Sequence, residues 1–277
     1  MNLFQSIILG IVQGFTEFLP ISSTAHLRIV PALFHWKDPG TAFSAVLQLG
    51  TMFSVIIYFW KDLIKIYGAF INDLLTNKKL TSYDSKLGFW IILGTIPICI
   101  FGFLFKEPIE AGLARSLNTV SFYLIFFGLL LYISEIFSKE TRTIGNINPL
   151  DVLLIGIAQS FALIPGVSRS GVTIFAGLLL GFKRSHAAKF SFLLSVPAIL
   201  ASGVLELSTL ISVLNTGASE IIWQELVIGV IFACLSGFMA IDFLLKYLQS
   251  HKTHIFVIYR VILGILVLYL NFRGLIH

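Results

Sequence analysis

The chain has 277 residues, of which 57% are hydrophobic and only 12% are charged, and its formal net charge is +5. Soluble domains carry roughly 25% charged residues, so this composition excludes a soluble globular protein and indicates a single membrane domain over residues 1–277. Basic residues in such a chain belong mainly to cytoplasmic loops, and they give no reason to expect nucleic-acid binding. The two cysteines lie in apolar runs without CxxC spacing, which argues against disulfides and thiolate metal sites.

Long and short apolar stretches alternate along the chain. Six are long enough to cross a bilayer, namely residues 42–60, 87–105, 119–137, 190–212, 223–245 and 255–272. Four shorter stretches form two pairs, 3–19 with 26–35 and 150–164 with 171–182. Each pair is interrupted by proline and hydroxyl residues, in PISST and PGVSRSG. Because proline breaks a helix and neither half crosses alone, each pair is predicted to be a re-entrant helical hairpin.

The two halves of the chain resemble each other. GIVQGFTEFLPISSTAH, from Gly10, aligns with GIAQSFALIPGVSRSG, from Gly156, and FSAVLQLGTM aligns with FSFLLSVPAI. The offsets of 146 and 147 residues agree, which indicates internal repeats at approximately 1–140 and 148–277. Each repeat holds three crossing helices, an odd number, so the second must be inverted. The predicted fold is an all-α polytopic membrane protein with six full transmembrane helices and two re-entrant hairpins in an inverted-topology repeat.

Basic residues in the connecting loops orient this arrangement. One face holds twelve of them and the other holds four, so the positive-inside rule makes the first face cytoplasmic. Both termini and the mouth of the first hairpin are then predicted to lie on the outer side. The cytoplasmic set is Lys61, Lys65, Lys78, Lys79, Lys86, Lys139, Arg142, Lys183, Arg184, Lys189, Lys246 and Lys252, and the outer set is Lys37, Lys106, Arg115 and Arg273.

Ionisable residues inside apolar stretches are costly, and such residues usually serve a function. The set here is Glu17, His26, Arg28, Arg169, Glu206, Asp242 and Arg260. A structural role is expected for Arg28, and Glu206 is expected in solvent near an outer helix end. Arg260 is expected to reach the cytoplasmic surface or to pair with Asp242. Glu17, His26 and Arg169 remain as the functional candidates.

The first hairpin break concentrates polar chemistry. Glu17 comes just before the break, and Ser22, Ser23, Thr24 and His26 follow it. One hydroxyl would cap the second half-helix, but capping requires neither three hydroxyls nor an imidazole. Since residues three apart share a helix face, His26 is placed to act as a base for Ser23. We interpret this tip as catalytic.

The second break has the composition of an anion site. Gly166, Ser168, Arg169, Ser170 and Thr173 combine a flexible turn, hydroxyls and a guanidinium at a helix N-terminus. The structural alternative is a capping turn in which Arg169 pairs with Glu17. If the two tips meet, an anion cradle faces an acid, a base and hydroxyls, which predicts phosphate chemistry on an amphiphilic substrate.

The motifs QGFTEFLPISSTAH and PGVSRSGVT resemble those of the undecaprenyl-diphosphate phosphatase family, also called the bacitracin-resistance or BacA family, and the likeness covers essentially the whole chain. It implies an enzyme of the bacterial plasma (inner) membrane that removes the terminal phosphate of undecaprenyl diphosphate, which recycles the lipid carrier for cell-wall synthesis. By the same resemblance Glu17, Ser23 and His26 are catalytic. The implied phosphate-binding residues are Ser168, Arg169, Ser170 and Thr173.

Several features of the mechanism stay open in the sequence. Either Ser23 attacks phosphorus with His26 as base, or His26 assists a water. Glu17 could orient the nucleophile or share Mg²⁺ or Ca²⁺ with the substrate phosphates. Gln13 occupies an acidic position of the family motif but cannot be an acid or base, so it is placed with Ser22 and Thr24 as a supporting residue. The expected partners are a polyprenyl diphosphate lipid and the membrane, and a homo-oligomer is compatible with the sequence.

Two other classes of membrane protein share features with this sequence. Type 2 phosphatidic-acid phosphatases also use a Ser-Arg motif, but the following SGVTIFAGLLL has neither the His nor the Asp of their pattern. A membrane transporter or flippase of a lipid phosphate suits the inverted repeats equally well, and it remains the alternative.

Overall fold

The structure is a computed structural model that describes residues 1–76, 79–80, 82–105, 107, 115–215 and 223–276, with backbone alone for 204–215. Over these residues the regular structure is helical, with one isolated bridge between Arg142 and Phe182. The α-helices are α1 (Leu3–Phe18), α2 (Ser23–Leu33), α3 (Gly40–Tyr58), α4 (Trp60–Leu75), α5 (Tyr83–Leu104), α6 (Leu117–Phe137), α7 (Pro149–Ser160), α8 (Arg169–Leu179), α9 (Arg184–Asn215), α10 (Trp223–Ser250) and α11 (His254–Phe272). Short 3-10 helices lie at Ile144–Asn146 and Phe161–Leu163.

Five helices of the described chain are long and apolar enough to cross a membrane: α3, α5, α6, α10 and α11. They coincide with five of the six predicted crossing stretches, as expected for a polytopic membrane protein. Their outward faces are apolar, as lipid contact requires, and Phe122 and Phe126 of α6 are 58% and 44% exposed. The sixth predicted stretch, 190–212, lies within α9, and the side chain of Glu206 is outside the described part, as are Lys78 and Lys106.

The residues of each predicted hairpin form a pair of packed helices, α1 with α2 and α7 with α8. Each second helix begins at a serine cap, Ser22 or Ser168, with φ of 75° and 73°. In both, the serine side chain accepts a hydrogen bond from the backbone amide three residues later. Serine rarely adopts this left-handed conformation, so its recurrence shows that the two tips share one backbone form.

Glycines let the first arm of each hairpin approach a crossing helix closely. Gly10 of α1 faces Gly229 of α10, and a β-carbon at Gly10 would lie 2.4 Å from the Gly229 carbonyl oxygen. Gly156 of α7 faces Gly94 of α5, and a β-carbon at Gly156 would lie 2.5 Å from the Gly94 carbonyl oxygen. Contacts between small residues are typical of helix packing in membranes, and these two fix the position of both first arms.

The stretch 61–86 is predicted as a loop, but the structure forms α4 across its first part. Leu63 and Ile66 of this helix are buried, and the Ile66 side chain packs where Gly88 of α5 leaves room. The opposite side exposes Ile64. The prediction missed α4 because a 16-residue amphipathic helix lacks the continuous apolar run of a crossing helix.

Candidate active site

The two hairpin tips meet, which brings together motifs that are far apart in the chain. Glu17 Oε1, at the end of α1, accepts a hydrogen bond from Arg169 Nη2 at the beginning of α8, and the two groups form an ion pair. Their side chains are only 4% and 12% exposed, respectively. The pair of Glu17 with Arg169, which is the structural alternative in the sequence analysis, therefore lies in the site where the two motifs meet.

Two further hydrogen bonds tie the tips together. The backbone amide of Gly166 donates to Thr24 Oγ1 at 3.3 Å, and Ser170 Oγ donates to the Leu19 carbonyl oxygen at 3.1 Å. Gly166 has φ of +97°, and a β-carbon there would lie 2.5 Å from the carbonyl oxygen of Val120. Glycine is required at this position both for the left-handed backbone and for the close approach to α6.

The Glu17 carboxylate accepts hydrogen bonds from three side chains. Besides Arg169 on Oε1, the Gln13 amide donates to Oε2 at 2.7 Å and the Ser23 hydroxyl donates to Oε2 at 2.5 Å. An oxygen that already accepts the Ser23 hydroxyl hydrogen is placed to receive it as a proton. Gln13, which cannot titrate, acts here as a donor that fixes the orientation of the carboxylate.

His26 is held by contacts other than the predicted one with Ser23. Its Nδ1 is bonded to the Ser22 carbonyl oxygen at 2.7 Å, and its Nε2 is bonded to the Tyr259 hydroxyl at 2.6 Å. The Ser22 carbonyl also accepts the backbone amide of His26 at 3.2 Å, so the imidazole folds back along the first turn of its own helix. Ser23 bonds to Glu17 instead. The hydrogen bonds therefore point to Glu17, rather than His26, as the acceptor for Ser23.

The three hydroxyl residues of the second tip contact different groups. Ser168 Oγ accepts a hydrogen bond from the Gly171 amide at 3.1 Å and lies 3.2 Å from Ser170 Oγ. Thr173 is 1% exposed, and its hydroxyl donates to the Arg169 carbonyl oxygen at 2.8 Å and contacts Ser191 Oγ at 2.6 Å. Thr173 thus supports the backbone of Arg169 from one turn deeper in α8, while Ser168 and Ser170 lie in the turn itself.

Arg260 corrects a sequence expectation, because it neither reaches the surface nor pairs with Asp242. It is 0% exposed, and its guanidinium donates to the carbonyl oxygens of Pro20 at 3.2 Å and of Gly166 and Val167 at 3.0 Å. Asp242 instead bonds to Lys246 at 2.7 Å and to Tyr58 at 3.2 Å. Arg260 therefore donates hydrogen bonds to both hairpin tips and links them.

Two residues of α11 that matter to this site, Tyr259 and Arg260, were not assigned to it from the sequence. Their signal was a polar pair in the apolar run VIYRVIL, but the sequence did not identify their partners. Arg28, by contrast, has the structural role expected of it. Its Nε lies 3.5 Å from Asp38, which also accepts a hydrogen bond from Arg115 at 2.8 Å.

The charges at the tips favour an anion. Arg169 and Arg260 are two cations, and of the described side chains Glu17 is the one carboxylate bonded to either. The N-termini of α2 and α8 lie at the same tips and add partial positive charge. Positive charge of this kind is what a phosphate site requires.

The same residues do not fit a resident divalent cation. Both oxygens of Glu17 already accept hydrogen bonds, and one of the donors is a guanidinium. The described chain contains no group of three or more His, Cys, Asp or Glu side chains that could hold a metal ion. Hard divalent cations need several oxygen ligands, so a cation here would have to take most of its ligands from a bound substrate.

Comparison with known proteins places these features in a family. The family model described as bacitracin resistance protein BacA matches residues 6–266. The chain is 50% identical over 272 residues to the undecaprenyl-diphosphatase of Chlorobaculum parvum, which covers 96% of this chain and 95% of that protein. It is 48% identical over 281 residues to the undecaprenyl-diphosphatase of Chlorobium phaeovibrioides, with 99% of each chain covered. A third undecaprenyl-diphosphatase, from Chlorobium chlorochromatii, is 47% identical over 284 residues and covers 100% of both chains.

Proposed function

The chain belongs to the BacA family of bacitracin resistance proteins, and we propose that it is an undecaprenyl-diphosphatase. It hydrolyses undecaprenyl diphosphate to undecaprenyl phosphate and inorganic phosphate in the plasma membrane, and so returns the lipid carrier to cell-wall synthesis. The observation that carries the assignment of the site is the meeting of the hairpin tips, where Arg169 lies against Glu17 and Glu17 bonds to Ser23.

The second tip binds the diphosphate. Arg169 supplies a fork of donors that matches phosphate oxygens, and the amides that begin α8 add the positive end of a helix. Because Arg169 is bonded to Glu17 in the free protein, an arriving phosphate competes with the carboxylate for the guanidinium. Partial release of Glu17 leaves it free to serve as a base, and the polyprenyl tail remains among the apolar helices.

Ser23 is the nucleophile in the mechanism that the geometry supports best. Its oxygen attacks the terminal phosphorus while its proton passes to Glu17 Oε2, and the bond from that phosphorus to the bridging oxygen breaks. Undecaprenyl phosphate leaves with the bonding electrons, and a phosphoserine remains. Water then attacks the phosphoserine and gives a proton to His26, while the bond from phosphorus to the Ser23 oxygen breaks and that oxygen regains the proton from Glu17. His26 passes its proton to the departing inorganic phosphate, which restores the starting enzyme.

The re-entrant and inverted arrangement forms part of this proposal. The hairpin helices α1, α2, α7 and α8 have 16, 11, 12 and 11 residues, whereas a crossing helix needs about 20. Each hairpin therefore enters the bilayer and returns on its own side, and the tips meet inside it. The distribution of basic residues supports termini and a substrate mouth on the outer side.

A divalent cation enters the proposal only together with substrate. Mg²⁺ or Ca²⁺ bound to the diphosphate would reach at most one Glu17 oxygen, and it would neutralise phosphate charge as Arg169 does. Activity is therefore expected to rise with added cation and to persist in part in a chelator. Complete loss of activity in a chelator would instead show that the cation is essential to the reaction.

Phosphate release from a polyprenyl diphosphate by the purified protein in detergent tests this function. Glu17→Gln, Arg169→Ala and Ser23→Ala are each expected to lose at least about 100-fold in kcat, since each removes a group that acts on the reacting atoms. Thr16→Ala is the matched control beside Glu17, because the Thr16 hydroxyl donates to the Val12 carbonyl oxygen of its own helix at 2.6 Å and takes no part in the chemistry.

Acid-quenched protein should carry a phosphate on Ser23 during turnover, and mass spectrometry detects it. A Ser23→Ala variant with normal turnover would move the attack to a water. Full activity of both Glu17→Gln and Arg169→Ala would reject the site. Movement of lipid across liposomes without phosphate release would favour the transporter alternative.

A further inference from the structure

His26 is fixed by a tyrosine that belongs to neither hairpin. The Tyr259 hydroxyl lies 2.6 Å from His26 Nε2, and the Tyr259 ring is nearly parallel to the imidazole, with centroids 5.6 Å apart and an interplanar angle of 6°. The other ring nitrogen, Nδ1, is bonded to the Ser22 carbonyl oxygen at 2.7 Å. One side chain of α11 thus holds Nε2, and the backbone at the start of α2 holds Nδ1.

These contacts assign the hydrogens on His26. A carbonyl oxygen only accepts hydrogen bonds, so Nδ1 must carry a hydrogen towards Ser22. In the neutral imidazole Nε2 then has the free lone pair, and Tyr259 donates to it. In the imidazolium ion Nε2 carries a hydrogen and donates to the Tyr259 oxygen. A hydroxyl is both a donor and an acceptor, so the same contact holds His26 before and after it takes up a proton.

The next residue of α11 anchors this tyrosine to the hairpin tips. Arg260 donates to carbonyl oxygens of both tips, at Pro20 and at Gly166, and also to the Leu124 carbonyl oxygen of α6 at 2.9 Å. Tyr259 therefore cannot move relative to the two tips without breaking the hydrogen bonds of Arg260. Its position relative to His26 is set by the same element that fixes the site.

We propose that Tyr259 positions His26 and relays a proton to it in the phosphatase reaction. It holds His26 in the tautomer with Nε2 as the proton acceptor. The water that resolves the phosphoserine gives its proton to the Tyr259 oxygen as the Tyr259 hydroxyl hydrogen passes to Nε2, so the same contact holds the imidazolium ion that forms. The inference rests on the role of His26 in the proposed function, and it adds a residue that lies outside both hairpin motifs. It also explains why Ser23 and His26 are not bonded, since the two side chains serve different steps.

Tyr259→Phe tests this role because it keeps the ring and removes only the hydroxyl. The kcat for release of phosphate from a polyprenyl diphosphate should fall about tenfold, while KM changes less than about twofold, because misplacing a reacting group costs rate more than binding. Tyr269→Phe is the matched control, since it removes a hydroxyl from the same helix at a side chain that is 54% exposed. Its kcat should equal that of the unchanged protein.

A double-mutant cycle with His26→Ala separates positioning from damage to the fold. In the His26→Ala background, Tyr259→Phe should change the residual activity less than about twofold, because the residue it positions is gone. Equal losses in both backgrounds would overturn the proposal, as would full activity of Tyr259→Phe or of His26→Ala. Phosphate release by the unchanged protein and by Tyr269→Phe reports on the enzyme activity itself, so failure of the proposed function would be seen separately.

Discussion

The two hairpin tips have the same backbone and different chemistry. Ser22 and Ser168 cap their helices in the same left-handed conformation, and the residue that follows the cap is Ser23 in one tip and Arg169 in the other. Position 17 of the first arm carries a glutamate, whereas the corresponding position of the second arm, 146 residues later, is Leu163. In the proposed mechanism one tip holds the nucleophile and its base, and the other holds the phosphate. Neither tip could perform the reaction alone.

If the two halves arose by duplication, as the internal similarity predicts, the two copies divide one proposed reaction between them. The serine cap and its hydrogen bond begin the second helix of each hairpin, and both hairpins have them. The side chains that point from the caps toward each other are free to differ, because they have no part in forming the turn. The arrangement requires something that keeps the two tips in register, and Arg260 provides it through carbonyl oxygens of both.

The largest expected effect comes from removing the hydrogen bonds of Arg260 to the two tips. Arg260→Met should lower the free energy of unfolding by about 3 kcal/mol or more, because several buried carbonyls lose their donor and each costs about 1–3 kcal/mol when left unpaired. Thermal denaturation in detergent measures it. Arg28→Met is the control, since its pair with Asp38 is partly exposed and such pairs contribute less than about 1 kcal/mol. Equal stability of the two variants would show that the tips hold together without Arg260.

A smaller effect on stability is expected from the serine caps of the two tips. Ser22→Ala and Ser168→Ala should each cost about 1 kcal/mol of stability through loss of the cap, whereas Ser22→Gly and Ser168→Gly should cost only a few tenths, because glycine accepts the left-handed conformation. The same order is expected at both tips. A different order at one of them, in thermal denaturation, would mean that the two caps are not equivalent.

The features that could be predicted from the sequence are those encoded in local runs of residues. Proline within an apolar stretch predicts a broken helix, and both breaks occur where the sequence places them, near Pro20 and Pro165. The contact between Glu17 and Arg169 followed from pairing two polar motifs that would each be costly alone in a membrane. Five crossing helices followed from length and hydropathy.

The features that could not be predicted depend on partners distant in the chain. His26 was expected to face Ser23 because spacing along a helix gives a shared face, but spacing says nothing about Tyr259, which lies 233 residues away. Arg260 was matched to Asp242, the nearest acid in the adjacent helix, since sequence reasoning looks for a carboxylate. Backbone carbonyl oxygens at the two helix breaks accept its hydrogen bonds instead. No pattern of side chains in the sequence predicts these acceptors.

An experimental structure of the protein in lipid, determined with and without a non-hydrolysable polyprenyl diphosphate analogue, tests the central claim most directly. Without ligand, Arg169 should contact Glu17 at the junction of the two tips. With ligand, a phosphate group should lie between the Arg169 guanidinium and the Ser23 hydroxyl and replace the contact with Glu17 Oε1. A structure in which Arg169 and Glu17 lie on opposite faces of the membrane, or in which the diphosphate binds away from both, would contradict the account.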